Sequence, residues 1–298
     1  MTESEDNQAA AARPAPEKPC LALMGEFSAG KSTLSNLLIG TQSLPVQVTA
    51  TQLPPVWIAH GDQPPYRVDL EGNVVPVDLN HLAGIEVADT AYVRIFRKSD
   101  VLEICDIIDM PGISDPSMAA NVWQRVIHNA TSVIWCTHAT QAWRQSEAAV
   151  WESLPPQLHA KSLLLLTRMD KINSRNDRER LLRRVRRETD GLFAEVLPIS
   201  LLQAIEAGED REAWEASGAE YFTTKLVELL QGDAAAGQPR VTAPFAFAET
   251  GPADEDTGET RPGVTSGGVV PKRVTPRTGL RPSTRRSERP APRAVHAN

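Results

Sequence analysis

Short continuous apolar runs alternate along the chain with stretches whose apolar residues recur at helical spacing. The runs that predict strands are Cys20–Met24, Ala91–Phe96, Val101–Asp109, Ser132–Thr137, Ser162–Thr167 and Val196–Ile199. The stretches that predict helices are Lys31–Ile39, Met118–Asn129, Gln141–Glu152, Asp177–Thr189 and Ala219–Leu230. Apolar strands alternating with amphipathic helices are typical of a sheet that is covered on both faces. The pattern therefore predicts an α/β fold with a doubly wound, mostly parallel sheet.

The alternating pattern stops near both ends of the chain. Residues 1–18 are polar and acidic, and residues 232–298 consist mainly of Gly, Pro, Thr, Ala and Arg. Segments of this composition cannot bury enough apolar surface to form a core. The sequence therefore predicts a folded domain at residues 19–231, between a disordered acidic N-terminus (1–18) and a disordered tail (232–298).

The basic charge of the chain is concentrated at its C-terminal end. The formal net charge of the 298 residues is −7, yet residues 271–298 carry eight Lys or Arg residues against Glu288 alone, which gives +7. Each basic residue contributes about 1 kcal/mol near an anionic membrane. A membrane surface is therefore a candidate partner. Nucleic acid is less expected because residues 271–298 contain no aromatic residue to stack on bases. An inert solubilising tail is equally consistent with the sequence.

Two further features of the composition bear on localisation. No apolar run approaches the roughly 18 residues of a membrane-spanning helix. Cys20, Cys105 and Cys136 lie in strand-like apolar runs without the spacing of metal ligands, which favours reduced thiols. The sequence therefore predicts a cytoplasmic protein whose contact with a membrane, if any, is peripheral.

A phosphate-binding loop is predicted between the first strand and the first helix. The sequence GEFSAGKST follows Cys20–Met24 and leads into the helical pattern, which is the context of a Walker A motif. In such a loop backbone N–H groups surround an anion at the start of a helix. Lys31 would reach the β- and γ-phosphates, and the Ser32 hydroxyl would ligate Mg²⁺. The predicted nucleotide-binding residues here are Gly25, Glu26, Phe27, Ser28, Ala29, Gly30, Lys31, Ser32 and Thr33.

Three later segments favour guanine over other bases. Asp109 ends a strand and is followed by Gly112, the pattern of a switch II segment, in which the Asp holds Mg²⁺ and the Gly N–H senses the γ-phosphate. The sequence Thr167-Arg168-Met169-Asp170 follows a buried strand, and a carboxylate at this place can accept two hydrogen bonds from guanine. Ser200 could contact the guanine carbonyl through its N–H, or cap a helix, or both.

A switch I segment is predicted in the sequence LPVQVTATQLPP at residues 44–55. A switch I segment needs one Thr, which would hold Mg²⁺ and orient the attacking water. Thr49 and Thr51 both fit, and the distance to Pro54 and to the strand-like residues after it favours Thr51.

At these residues the chain resembles the GTPase domain of dynamin-like proteins, the bacterial ones above all. The sequences GEFSAGKST, LPVQVTATQLPP, DMPGI and TRMD are similar to four motifs of that family, and the resemblance covers about residues 18–230. It implies a P-loop GTPase fold and GTP hydrolysis with Mg²⁺. It further implies stimulation when two GTPase domains face each other, as a homodimer or with a dynamin-like partner protein, and a role in membrane or cell-envelope remodelling.

The resemblance also assigns roles to single residues. Lys31, Ser28, Thr51 and Gly112 are the candidate catalytic residues, and Ser28 stands where the family helps to hold a K⁺ or Na⁺ ion. Phe27 stands where eukaryotic dynamins have a Gln that orients water, and no helical stalk follows residue 230. Three alternatives therefore stay open: a GTP-dependent switch or scaffold with negligible turnover, a ribosome- or RNA-associated GTPase, and a P-loop kinase.

Overall fold

A computed structural model describes residues 18–40, 53–114 and 122–234, and these form a nine-stranded sheet with helices on both sides. The strands are β1 (Cys20–Gly25), β2 (Val56–His60), β3 (Tyr66–Asp69), β4 (Val74–Pro76), β5 (Thr90–Arg97), β6 (Asp106–Asp109), β7 (Ser132–His138), β8 (Ser162–Thr167) and β9 (Glu195–Pro198). Their order across the sheet is β4-β3-β5-β2-β6-β1-β7-β8-β9. The prediction of a doubly wound, mostly parallel α/β sheet is confirmed.

Five neighbouring strands form the main parallel part of the sheet, and β2 and β5 form a separate parallel pair. Strand β1 pairs in parallel with β6 and β7, and the parallel pairing continues through β8 to β9. Strand β2 is antiparallel to β6, and β3 and β4 add an antiparallel extension beyond β5. The carboxyl ends of β1, β6, β7 and β8 therefore meet at one edge, where ligands of such sheets bind.

The described residues contain seven α-helices. They are α1 (Lys31–Ile39), α2 (Asp100–Ile104), α3 (Gln145–Glu152), α4 (Arg175–Glu188), α5 (Leu201–Ala207), α6 (Arg211–Ala216) and α7 (Ala219–Ala234). Helix α1 starts after Gly30 and ends at Gly40, both in the left-handed conformation that favours glycine. None of these helices is long and apolar enough to cross a membrane.

The core lies on both faces of the sheet. Along β1, Leu21 and Leu23 pack into one cluster with α1 and α7, whereas Ala22 and Met24 pack into the opposite cluster, which contains Trp151 of α3. Because alternate residues of a strand point to opposite faces, both sets are buried. This explains why the sequence shows continuous apolar runs in the central strands.

Some predicted elements differ from the structure. The predicted strand Val101–Asp109 is wrong in its first half, because residues 100–104 form α2 and only Asp106–Asp109 form β6. The acidic side chains of Asp100 and Glu103 lie in the first turn of α2, where the positive end of a helix favours them.

Three helix predictions also need correction. Helix α3 begins at Gln145 rather than Gln141, after a 3₁₀ turn at Ala139–Gln141. Of the predicted helix Met118–Asn129, residues 118–121 lie outside the described residues, and the remainder forms two 3₁₀ turns. The predicted helix Ala219–Leu230 extends to Ala234 in α7, so residues 232–234, which were predicted to begin the tail, belong to this helix.

Candidate nucleotide-binding site

The predicted phosphate loop lies between the carboxyl end of β1 and the start of α1. Gly25, Ser28 and Gly30 have positive φ angles of 137°, 59° and 97°. The loop is closed by a hydrogen bond from the Ala29 N–H to the Glu26 carbonyl (3.2 Å). Backbone of this curvature turns successive N–H groups toward a common centre, which is the geometry of an anion-binding nest.

Gly25 is required by its surroundings. A Cβ atom at this position would lie 2.0 Å from the carbonyl oxygen of Cys136 in the neighbouring strand, and the φ of +137° is strained for other residues. Close contact between β1 and β7 therefore excludes any side chain at the end of β1.

We expect Gly25→Ala to lower the free energy of unfolding by about 3 kcal/mol or more, because overpacking and backbone strain add. Gly72→Ala is the matched control: Gly72 has φ +90° but no atom within 4 Å of its Cβ position. It should cost about 1 kcal/mol from backbone strain alone. Urea denaturation measures both, and equal losses would show that the contact with Cys136 is unimportant.

Lys31 places a buried positive charge inside the loop. Its ammonium group donates hydrogen bonds to the carbonyls of Gly25 (3.1 Å) and Glu26 (2.8 Å), and the residue is only 7% exposed. The charge thus lies against the backbone of the loop, where the sequence predicts a lysine that contacts phosphates.

Asp109 and Ser32, the residues predicted to bind Mg²⁺, are in contact with each other. Asp109 ends β6, is buried, and is hydrogen-bonded to the Ser32 hydroxyl. Burial raises the pKa of Asp109 to about 6, although nearby Lys31 and the Ser32 hydroxyl act to lower it. Hard oxygen donors of this kind fit Mg²⁺, and a cation beside Asp109 would favour its ionised form.

The segment after β6 lies directly against the phosphate loop. A Cβ atom at Gly112 would lie 2.8 Å from Phe27 Cα and 2.9 Å from Phe27 N, so only glycine fits. The Phe27 N–H donates to the Ser114 hydroxyl (3.2 Å), and the Ile113 N–H donates to the Gly25 carbonyl (3.2 Å). The structure therefore brings the predicted switch II segment to the side of the loop next to Phe27.

A cavity of about 140 Å³ lies on the opposite side of the loop. Its lining residues are Gly30, Thr33, Thr167, Arg168, Asp170, Lys171, Leu201 and Leu202. Arg168 has φ 57° and donates from Nη2 to the Ser28 carbonyl (2.8 Å), and the Thr167 hydroxyl donates to the Ala29 carbonyl (2.8 Å). The predicted base-recognition segment is thus tied to the phosphate loop.

Asp170 presents an ionised carboxylate to this cavity. Its Oδ1 accepts a hydrogen bond from the Ser200 hydroxyl (2.9 Å), and its Oδ2 pairs with Lys171 Nζ (3.2 Å). Partial burial acts to raise the pKa of Asp170, but the hydrogen bonds from Ser200 and Lys171 outweigh it and lower the pKa. A carboxylate held in this way can accept hydrogen bonds from a base that offers two adjacent donors.

Ser200 acts through its hydroxyl group. It accepts a hydrogen bond from the Gln203 N–H and so caps α5, as one of the two predicted roles requires. Its own N–H donates to the Ser217 carbonyl (2.9 Å). In this structure the Ser200 N–H is therefore engaged within the protein, and Ser200 contributes to the cavity by holding Asp170.

The structure brings most of the predicted site together, and it adds residues that the motifs did not include. Thr49 and Thr51 lie outside the described residues. Lys171, Leu202, Ser114, Arg144 and Ser146 contact the site but were not predicted. Lys171 and Ser114 directly follow recognised motifs in sequence, whereas no spacing in the sequence connects Arg144 and Ser146 to the loop.

Comparison with known proteins places this geometry in a family. The model of the dynamin family matches residues 21–169, which include the phosphate loop, the segment after β6 and most of the base-recognition segment. The chain belongs to the dynamin family, and its described part has the P-loop GTPase fold.

Individual proteins are similar to this chain in sequence or in fold. Dynamin-like protein 2 of Campylobacter jejuni is 25% identical over 215 residues, which cover 70% of this chain and 34% of that protein. A chain of an oligomerised bacterial dynamin pair has a similar fold (TM-score 0.51, 16% identity, 74% of this chain and 37% of that chain). Aquifex aeolicus Era with bound GDP and AlF4⁻ is a further match (TM-score 0.41, 16% identity, 76% and 59%). The chain spans about a third of the length of the dynamin relatives.

Proposed function

We propose that this protein binds GTP with Mg²⁺ and hydrolyses it to GDP and phosphate. The observation that carries the proposal is the Asp170 carboxylate, held by Ser200 and Lys171 in a cavity that adjoins the loop around Lys31. Guanine offers N1–H and an exocyclic amine to such a carboxylate, whereas adenine lacks this pair of donors, so ATP would bring no hydrogen-bond donors to the partly buried carboxylate.

The residues of the phosphate loop would position and stabilise the triphosphate. Lys31 and the loop N–H groups would neutralise the charge that develops on the γ-phosphate. Ser32 and Asp109 would hold Mg²⁺, with Thr51 of switch I as a third contributor, and the Gly112 N–H would contact the γ-phosphate. Mg²⁺ supplies charge neutralisation between the phosphates. In-line attack by water completes the reaction.

We further propose that a second GTPase domain, in a homodimer or in a dynamin-like partner, accelerates turnover. The bacterial dynamin neighbour is an oligomerised pair that provides a mechanism for sensing and tethering of membranes. In this chain Phe27 of the phosphate loop is 67% exposed, and its apolar side chain cannot orient water. A partner domain would supply the orientation of water that Phe27 cannot provide. A K⁺ or Na⁺ ion near Ser28 would supply positive charge to the transition state, as an arginine finger does in other GTPases. This proposal favours a role in membrane or cell-envelope remodelling. The protein would be cytoplasmic and would bind the membrane peripherally through the basic residues at 271–298.

Phe27 also favours a second candidate function, a GTP-dependent switch with negligible turnover. Phosphate release at increasing protein concentration, in K⁺, Na⁺ and choline buffers and with or without anionic liposomes, distinguishes the two. We expect the rate per protein molecule to rise with concentration and to be higher in K⁺ or Na⁺ than in choline. A rate that stays near zero at all concentrations, while GTP still binds, would establish the switch.

A further inference from the structure

The side chain of Glu26, the second residue of the phosphate loop, points away from the phosphate position. Its Oε2 pairs with Arg144 Nη1 (3.0 Å), and its Oε1 accepts a hydrogen bond from the Ser146 hydroxyl (2.8 Å). Both carboxylate oxygens are therefore engaged by the segment that follows β7, and the side chain is only 16% exposed. The backbone carbonyl of the same residue accepts the hydrogen bond from Lys31 (2.8 Å).

The segment that holds Glu26 is itself fixed by a buried carboxylate. Glu147 is 1% exposed and accepts hydrogen bonds from Trp135 Nε1 (2.9 Å), the Thr137 hydroxyl (3.0 Å) and the Arg144 N–H (2.9 Å). All four residues belong to β7 or to the start of α3. Because every polar atom of the Glu147 side chain is satisfied by this segment, the backbone at Arg144 has little freedom.

A strained residue next to Arg144 shows how tightly the segment is held. Trp143 has φ 56°, which is unusual for a bulky side chain, and its N–H donates to the Thr137 hydroxyl (3.1 Å). Its ring is buried and packs edge-on against Trp135 (6.2 Å) and Phe193 (5.3 Å). Such backbone strain persists only where the surroundings determine the conformation.

Three consecutive residues of the phosphate loop are thus each hydrogen-bonded to a segment that follows a different strand. The Phe27 N–H is held by Ser114 after β6, and the Ser28 carbonyl is held by Arg168 after β8. Both of those partners lie in segments that are expected to contact nucleotide. Of these three residues, Glu26 alone is held by a segment outside the nucleotide motifs, so its attachment does not rely on a segment that is expected to contact nucleotide.

We propose that Glu26, Arg144 and Ser146 form a clamp that keeps the phosphate loop in its phosphate-accepting shape, with Glu147 as the buried base of the clamp. Glu26 and Arg144 are then positioning residues that act through the loop backbone and through the carbonyl that Lys31 contacts. The effect on nucleotide affinity rests on the proposed GTP binding, whereas the effect on the loop itself does not.

Hydrogen exchange of the nucleotide-free, full-length protein tests the clamp directly. In Arg144→Gln and in Glu26→Gln we expect the N–H groups of residues 27–31 to exchange about 10-fold faster, because the loop opens more often. The double variant should be no faster than either single variant, since both remove the same contact. Arg144→Lys keeps the charge and should restore part of the protection. Glu147→Gln, which turns one acceptor into a donor, should loosen residues 142–147 as well.

Arg175→Gln is the matched control. Arg175 forms an equally short ion pair with Glu179 (3.1 Å) on the exposed face of α4, away from the loop. This control should leave exchange at residues 27–31 unchanged, and the melting temperatures of Arg144→Gln and Arg175→Gln should agree within a few degrees, since neither ion pair is fully buried and such pairs add little global stability. The proposal would be overturned if residues 27–31 exchanged equally fast in Arg144→Gln and in Arg175→Gln. It would also be overturned if exchange in the double variant of Glu26 and Arg144 were faster than in either single variant by the product of the two single effects.

Calorimetry with GTP and Mg²⁺ provides the second arm of the test. We expect Arg144→Gln to weaken GTP binding about 10-fold, with no change in the control, because an opened loop must be closed again before it binds. If the unaltered protein bound no GTP, the proposed function would fail, and the exchange result would still decide whether the clamp exists. Normal GTP affinity in a variant with a loosened loop would confine the clamp to a structural role and overturn its positioning role.

Discussion

Replacing Lys31 with alanine is expected to weaken GTP binding by about 100-fold or more, or roughly 3 kcal/mol. Lys31 is 7% exposed and its ammonium group donates hydrogen bonds to the carbonyls of Gly25 and Glu26, so its charge is poorly screened by water. In the proposed complex the same group contacts the β- and γ-phosphates. Calorimetric titration of the purified variant with GTP in Mg²⁺ buffer measures the loss directly.

Lys98→Ala serves as the control for the Lys31 variant. Lys98 is exposed, and its Nζ pairs with Asp62 Oδ2 (3.1 Å), which is also exposed. GTP affinity should be unchanged in this variant, and the two variants should have similar urea midpoints. Undiminished affinity in Lys31→Ala would mean that the loop does not bind the triphosphate.

Asp170→Asn is expected to change which base the protein prefers. An asparagine offers one acceptor and one donor in place of two acceptors, so its amide N–H groups would face the donors of guanine. GTP affinity should fall about 100-fold, by the cost of unpaired polar groups. Xanthosine triphosphate, which has a carbonyl where guanine has its amine, should then bind more tightly than GTP. Competition between the two nucleotides measures this preference.

Asp62→Asn is the matched control for the base preference, because Asp62 is exposed and pairs only with Lys98 among the described residues. It should keep the preference of the unaltered protein for GTP. An Asp170→Asn variant that still prefers GTP would show that the base lies elsewhere, and it would favour a kinase-like use of the phosphate loop.

The central part of the fold could be predicted from the sequence because burial on two faces leaves continuous apolar runs. Strand β8, with Leu163–Leu166 fully buried, is the clearest case. The antiparallel extension was harder to predict. Strands β3 and β4 are half-exposed and only four and three residues long, so their periodicity is too short to recognise. Helix α2 was predicted as strand because its apolar residues Val101, Leu102 and Ile104 continue into the apolar residues of β6, and so short a segment fits either element.

The candidate site could be predicted as far as local motifs define it. Asp109 ends β6, Asp170 lies shortly after β8, and Lys31 follows the loop after β1; the parallel pairing of neighbouring strands brings these strand ends together. The contacts of Glu26 with Arg144 and Ser146 join residues about 120 positions apart, and they depend on the backbone that Trp143 and Glu147 impose. Long-range side-chain pairs of this kind have no local pattern in a single sequence.

The measurement that tests the central claim most directly is calorimetry of the unaltered full-length protein with GTP, GDP and ATP in Mg²⁺ buffer. The account predicts saturable binding of both guanine nucleotides at one site per chain, with ATP at least about 100-fold weaker, because the Asp170 carboxylate finds no donor pair on adenine. Equal affinity for ATP and GTP would contradict the role of Asp170. Absence of binding by any of the three nucleotides would contradict the proposed function as a whole.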